Sequence, residues 1–148
     1  SFSVMSAVML NNSTLSKNNA SKSGGGISNN SSGVTLNNST LSGNTAGING
    51  GGLYSLSNGI ATLNSSTLSG NSAHNGAGLW TISSSVALSN STLSGNSATN
   101  KGGGGYIINS DATPSNSTLS ANSATANGGG GLFNSGSTVT LSNSILAN

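Results

Sequence analysis

The pentad Asn-Ser-Thr-Leu-Ser occurs at 12–16, 38–42, 90–94 and 116–120. A Ser-Ser-Thr-Leu-Ser variant stands at 65–69, and Asn-Ser-Ile-Leu-Ala at 143–147. The central leucines, Leu15, Leu41, Leu68, Leu93, Leu119 and Leu146, are 26, 27, 25, 26 and 27 residues apart. Self-similarity at such a period is the signature of a solenoid. One repeat cannot bury its own apolar face, so the core forms only when neighbours stack. Further columns keep the same beat. Asn18, Asn44, Asn71, Asn96 and Asn122 form one, Ala20, Ala46, Ala73, Ala98 and Ala124 another. Leu10, Leu36, Leu63, Leu88 and Leu141 form a third, interrupted by Pro114. Ile27, Leu53, Leu79, Tyr106 and Leu132 form a fourth, each placed after a glycine-rich run.

Within a repeat the pattern has period 2. In Ser39-Thr40-Leu41-Ser42 the leucine turns to one side while Thr40 and Ser42 turn to the other, which is strand alternation. The density of Gly, Asn, Ser and Thr argues against helix. The expected fold is all-β: a single-stranded parallel β-helix of ~26-residue coils, about five to six coils, with three strands to a coil. At ~4.8 Å per coil the rod would be about 27 Å long. Residues 1–148 read as one solenoid domain with no caps evident, expected to belong to a longer solenoid or to stack on copies of itself.

Polar, glycine-rich composition often signals disorder. Here the apolar residues are periodic and only 3% of residues are charged, so order is expected. The side-chain charges are Lys17, Lys22, Lys101 and Asp111. Three scattered lysines make no nucleic-acid footprint. The absence of cysteine excludes disulfides and thiolate metal sites. No apolar run approaches the ~18 residues of a membrane span. The chain opens inside the pattern without an initiating Met, as a processed product or an excised stretch would.

The strings Leu-Ser-Gly-Asn-Ser-Ala and Gly-Gly-Gly-Leu resemble repeats of right-handed parallel β-helix proteins of bacterial surfaces. They are similar to the paired GGA(I/L) and FxxN repeats of chlamydial polymorphic outer-membrane proteins. They come closer to the GGGIYNSG…LTLTNSTISGN repeats of large secreted bacterial proteins, with Leu41-Ser42-Gly43-Asn44 standing where those have Ile-Ser-Gly-Asn. The resemblance covers the whole chain. It implies right-handedness and a secreted or cell-surface setting. It does not imply one function, because such repeats serve adhesins, autotransporter passengers and other surface proteins.

Candidate chemistry is sparse. Glycosidase-type chemistry needs paired carboxylates, and this chain has one acid, Asp111, and one histidine, His74, in different coils. Both are expected in solvated turns. No serine has an evident activating base. The glycine runs lack the Lys-Ser/Thr and following helix of a phosphate loop, and are expected at corners. Asn-x-Ser/Thr triplets such as Asn38-Ser39-Thr40 and Asn90-Ser91-Thr92 follow from composition alone, though a secreted chain could carry glycans on them. No catalytic, cofactor or metal site is therefore expected, and the chain reads as a non-enzyme.

Three structural or surface features remain. The column Asn18, Asn44, Asn71, Asn96 and Asn122 is expected to form an asparagine ladder. Thr14, Thr40, Thr67, Thr92 and Thr118 beside Ser16, Ser42, Ser69, Ser94 and Ser120 are expected to form a flat outward array, a candidate face for ice or a glycan. Phe2, Tyr54, Trp80, Ile107 and Phe133, with Ser28 as the polar break, are expected to form an exposed apolar stripe for lateral contact. The leading functional expectation is a structural repeat module of a secreted or cell-surface protein, forming an adhesive stalk or fibre by end-to-end stacking. Its expected partner is itself, or a glycan or ice surface.

Overall fold

The computed structural model describes residues 7–126 and 128–147. Among them there are only strands and turns, and every strand pairs in parallel with its equivalents one coil away. The chain is a β-solenoid of about five turns with ~26-residue coils. Each coil has four short strands rather than the three expected, so four parallel sheets run along the axis.

The first sheet stacks Ala7–Asn11, Gly33–Asn37, Ile60–Asn64, Ser85–Ser89, Asp111–Ser115 and Thr138–Val139. The second stacks the repeated triplet: Thr14–Ser16, Thr40–Ser42, Thr67–Ser69, Thr92–Ser94, Thr118–Ser120 and Ile145–Ala147. The third, the narrowest at its ends, stacks Asn19–Ala20, Thr45–Ala46, Ser72–Asn75, Ser97–Lys101 and Ser123–Ala124. The fourth stacks Ile27–Asn30, Leu53–Leu56, Leu79–Ile82, Gly105–Ile108 and Leu132–Ser135.

Four sheets need four corners, and each corner is a column of left-handed residues. Asn12, Asn38, Ser65, Asn90, Asn116 and Asn143 turn the chain between the first and second sheets with φ between 46° and 50°. Asn tolerates this conformation better than most residues, which explains its recurrence before Ser-Thr-Leu. The third-to-fourth corner uses Gly24, Gly50, Gly76, Gly102 and Gly129. There the glycine is compulsory twice over: a Cβ on Gly76 would lie 2.5 Å from the Leu79 carbonyl oxygen and 2.8 Å from Trp80 Cβ. Length variation collects at a corner too. The extra residue between Leu41 and Leu68 sits where Ser57 and Asn58 both take positive φ, before strand Ile60–Asn64.

The core is a stack of like residues. Leu36, Leu41, Leu53, Leu63, Leu68, Leu79, Leu93 and Leu119 are fully buried, with Val34, Val86 and Ile107 among them. A second, smaller cluster of Ala46, Ala73, Ala77 and Ala98 lies along the third sheet and the corner that follows it. Pro114 fills the column position beside Leu88 without breaking the register.

One core column departs from expectation. Tyr106 does not follow Ile27, Leu53 and Leu79 inward; Gly105 occupies that place, paired with Leu79 and Leu132. The run Gly102–Gly105 has four glycines, as Gly128–Gly131 does, but here the corner residue is the first, Gly102, and there it is the second, Gly129. The Leu132 side chain occupies the space where a Gly105 Cβ would be, 2.8 Å from Leu132 Cδ2.

Candidate functional site

The asparagine ladder is present and is buried more deeply than a corner feature needs. Asn44, Asn71 and Asn96 are fully enclosed. Each Nδ2 donates to the Oδ1 of the next rung: Asn18 to Asn44 at 3.0 Å, Asn44 to Asn71 at 3.1 Å, Asn71 to Asn96 at 2.9 Å, Asn96 to Asn122 at 2.9 Å. The same Oδ1 accepts the backbone N–H of the preceding rung, as when Asn44 N–H donates to Asn71 Oδ1 at 2.9 Å. The second Nδ2 hydrogen reaches back to a leucine carbonyl, Asn71 to Leu41 at 3.0 Å and Asn96 to Leu68 at 2.9 Å. Every interior amide is thereby satisfied by the coil on either side, which is what makes burial of so polar a column tolerable.

A second ladder was not anticipated. Ser39, Ser66, Ser91 and Ser117 are buried inside the first-to-second corner. Each backbone N–H donates to the hydroxyl one coil on: Ser13 to Ser39, Ser39 to Ser66 and Ser66 to Ser91 at 3.1 Å, then Ser91 to Ser117 at 3.2 Å. Each hydroxyl donates to the carbonyl two residues back, for example Ser66 to Asn64 at 2.8 Å. The signal lay in the pentad itself: Ser39 is two residues before Leu41, and period 2 sends both inward. A shorter version runs through Ser84, Ser110 and Ser137.

The Thr-x-Ser array forms in strict register. Thr14, Thr40, Thr67, Thr92 and Thr118 pair in one row and Ser16, Ser42, Ser69, Ser94 and Ser120 in the other. The leucine between each pair points inward. The rows end at the sixth strand, where Ile145 and Ala147 take the two positions.

The apolar stripe requires two corrections. Ile107 is not part of it. It pairs with Thr81 and lies in the core, fully buried, while Tyr106 stands beside Trp80 in the outward column. The cause is Gly105, which stands where the neighbouring coils have the inward Leu79 and Leu132. Trp80 is also not exposed: it keeps only 7% of its surface, because Tyr54 stacks on it at 4.6 Å and 9° and Tyr106 meets it edge-on at 6.5 Å. Phe133 continues the column at 4.9 Å from Tyr106, with Lys101 Nζ 4.5 Å above its ring. Rings stacked along the axis hide each other's faces. Trp80 Nε1 is buried with no partner among the described residues. Phe2 lies outside the described residues. A neighbouring outward column, Leu56, Ile82 and Ile108, is half-buried and adds to the apolar character of this face.

His74 and Asp111 are exposed, as expected, but sit on strands rather than turns. His74 Nδ1 lies 2.8 Å from Thr99 Oγ1 on the third sheet, and Asp111 begins a strand of the first. The structure does not bring them together. An open groove of about 580 Å³ runs along the corner beside Asp111, lined by Asn58, Ser85, Asn109, Ser110 and Thr138. It holds one titratable group. No helix is long and apolar enough to cross a membrane among the described residues.

No family model, no curated protein and no solved structure matches this chain.

Proposed function

We propose that the chain is a non-enzymatic structural repeat module of a secreted or cell-surface protein, an adhesive stalk or extracellular fibre built by end-to-end β-solenoid stacking. The observation that carries this reading is the direction of its buried polar groups. The asparagine and serine ladders point along the axis, each rung bonded to the next coil. Such groups transmit register along a rod, and they are not gathered around a point where a substrate could sit.

Two further features support it. Among the described residues seven large hydrophobic side chains are exposed, and five of them lie in the first or last described coil: Val8, Met9, Leu141, Ile145 and Leu146. Val8 and Leu146 belong to columns that are buried elsewhere, paired with Val34 and Leu119. An end that displays core columns and open strand edges is a template for another coil of the same register. With four charged side chains in all, little repulsion opposes that approach. The secreted or surface setting rests on the repeat resemblance.

Sedimentation and electron microscopy of the isolated chain test the stacking. Rods that lengthen with concentration are expected, and Leu146→Asp should leave single units with an unchanged circular dichroism spectrum. A monodisperse wild-type monomer at high concentration would overturn it.

A further inference from the structure

The second sheet differs from the other three in a way the rod role does not require. Both its outward columns keep one residue type through five coils, Thr in one and Ser in the other. One outward column of the first sheet mixes Met9, Thr35, Thr62, Ala87 and Thr113, that of the third mixes Asn19, Thr45, Ser72, Ser97 and Ser123, and those of the fourth are aromatic and aliphatic in the middle coils. Strand spacing makes the array a grid of about 4.8 Å along the axis by about 6.7 Å across, and about 19 Å long.

The hydroxyls of this grid are free. Among the described residues none of the ten has a hydrogen-bond partner within the chain, whereas the serines one position earlier all donate to carbonyls, as Ser39 to Asn37 at 2.8 Å and Ser117 to Ser115 at 2.8 Å. The grid is also held stiff. Each Thr-Leu-Ser strand has a ladder serine before it and a ladder asparagine after it, both buried in every coil but the first, so its ends are pinned to the neighbouring coils.

The border beside the serine row is low. The position after the serine row is Gly43, Gly70 or Gly95 in three of its coils. A Cβ on Gly70 would meet nothing within 4 Å, so no packing demand keeps that border bare. Lys17 and Ala121 occupy the same left-handed position, showing that side chains fit there. Lys17 rises only at the first coil, and no charged residue stands within the grid itself.

A flat, rigid, uncharged plane of unpartnered hydroxyls and methyls is a poor site for a dissolved small molecule, which needs concavity. It suits a ligand that is itself flat, uncharged, hydrogen-bonding and periodic. Hexagonal ice repeats along one axis close to the strand spacing, so successive Thr rows stay in step with it over five coils.

We propose that the Thr-x-Ser face binds the surface of ice. The hydroxyls would hold a layer of ordered water in lattice register while the threonine methyls fill the spaces between. This inference does not depend on end-to-end stacking, since a single unit carries the complete grid.

The test is thermal hysteresis and crystal shaping with the full chain, alongside Thr67→Tyr at the centre of the grid and Ala87→Tyr on the first sheet as a control. Circular dichroism and thermal melting establish that both variants fold. A hysteresis gap in the wild type and in Ala87→Tyr, lost to the buffer value in Thr67→Tyr, is expected. If Thr67→Tyr fails to fold, Thr67→Val keeps the branched shape, removes one hydroxyl and should reduce the gap. No hysteresis in the folded wild type would overturn the proposal, as would a gap unchanged in folded Thr67→Tyr. Retention on insoluble cellulose or chitin, sensitive to Thr67→Tyr and without hysteresis, would also overturn it and assign the face to a polysaccharide.

Discussion

Asn71 is the rung whose removal discriminates most sharply between a structural ladder and a decorative one. Its side chain makes four hydrogen bonds. It donates to Asn96 Oδ1 at 2.9 Å and to the Leu41 carbonyl at 3.0 Å, and accepts from Asn44 N–H at 2.9 Å and Asn44 Nδ2 at 3.1 Å. In Asn71→Ala the Asn44 backbone N–H loses its acceptor inside a fully buried site, whereas Asn96 Oδ1 keeps the Asn71 N–H and Asn44 Nδ2 keeps the Leu15 carbonyl. Four bonds at a net ~1 kcal/mol each give a loss of about 4 kcal/mol, and the stranded N–H raises it. That is a large part of the ~5–15 kcal/mol typical of a folded domain. The internal control is Asn18→Ala. Asn18 is exposed and its side chain makes one bond, to Asn44 Oδ1, so the loss should be about 1 kcal/mol. Urea denaturation followed by far-ultraviolet circular dichroism and by Trp80 fluorescence measures both. Two probes are needed because solenoid stability is a sum of repeats and interfaces, and a mid-rod lesion can uncouple the halves. Equal losses in the two variants would refute the ladder's energetic role.

Asn71→Asp adds a pH dependence. The new carboxyl would be fully buried; one oxygen would keep the two Asn44 donors, but the other would face the Leu41 carbonyl and Asn96 Oδ1, two acceptors, and burial with those acceptors favours the protonated form and raises the folded pKa above the unfolded value. Its stability relative to wild type should therefore be greatest at acid pH and fall as pH rises through the raised pKa, as read by thermal melting from pH 3 to 8. Gly51→Ala should cripple folding, because its Cβ would lie 2.5 Å from the Ser72 carbonyl oxygen and 2.7 Å from that of Ala77; Gly70→Ala, in open space, should cost only about 1 kcal/mol for its positive φ. Comparable melting temperatures for the two would contradict the tight approach. Trp80 emission should be blue-shifted and resist acrylamide in the wild type, and Tyr54→Ala should red-shift it by uncovering one ring face. Easy quenching in the wild type would show that the stack is not closed in solution.

Much of this was legible in the chain because a solenoid writes its tertiary structure into its period. The 26-residue beat, the inward Leu15-to-Leu146 column and the Thr-x-Ser grid all follow from repeat length and strand alternation. The asparagine ladder follows because a buried amide column is satisfiable only by its own copies one coil away. What the period could not decide is where within a coil the chain turns. That depends on which residues accept positive φ, and Asn, Ser, Lys and Ala all do so here, so four corners were hidden among residues that also serve in strands. The same ambiguity misplaced Tyr106 and Ile107. A run of four glycines offers two registers, and only the contact between Gly102 and the following strand selects one. The burial of Trp80 was likewise beyond reach of a pattern that separates inward from outward. An outward side chain is covered or bare according to its lateral neighbours, and only the folded stack sets Tyr54 and Tyr106 against its ring.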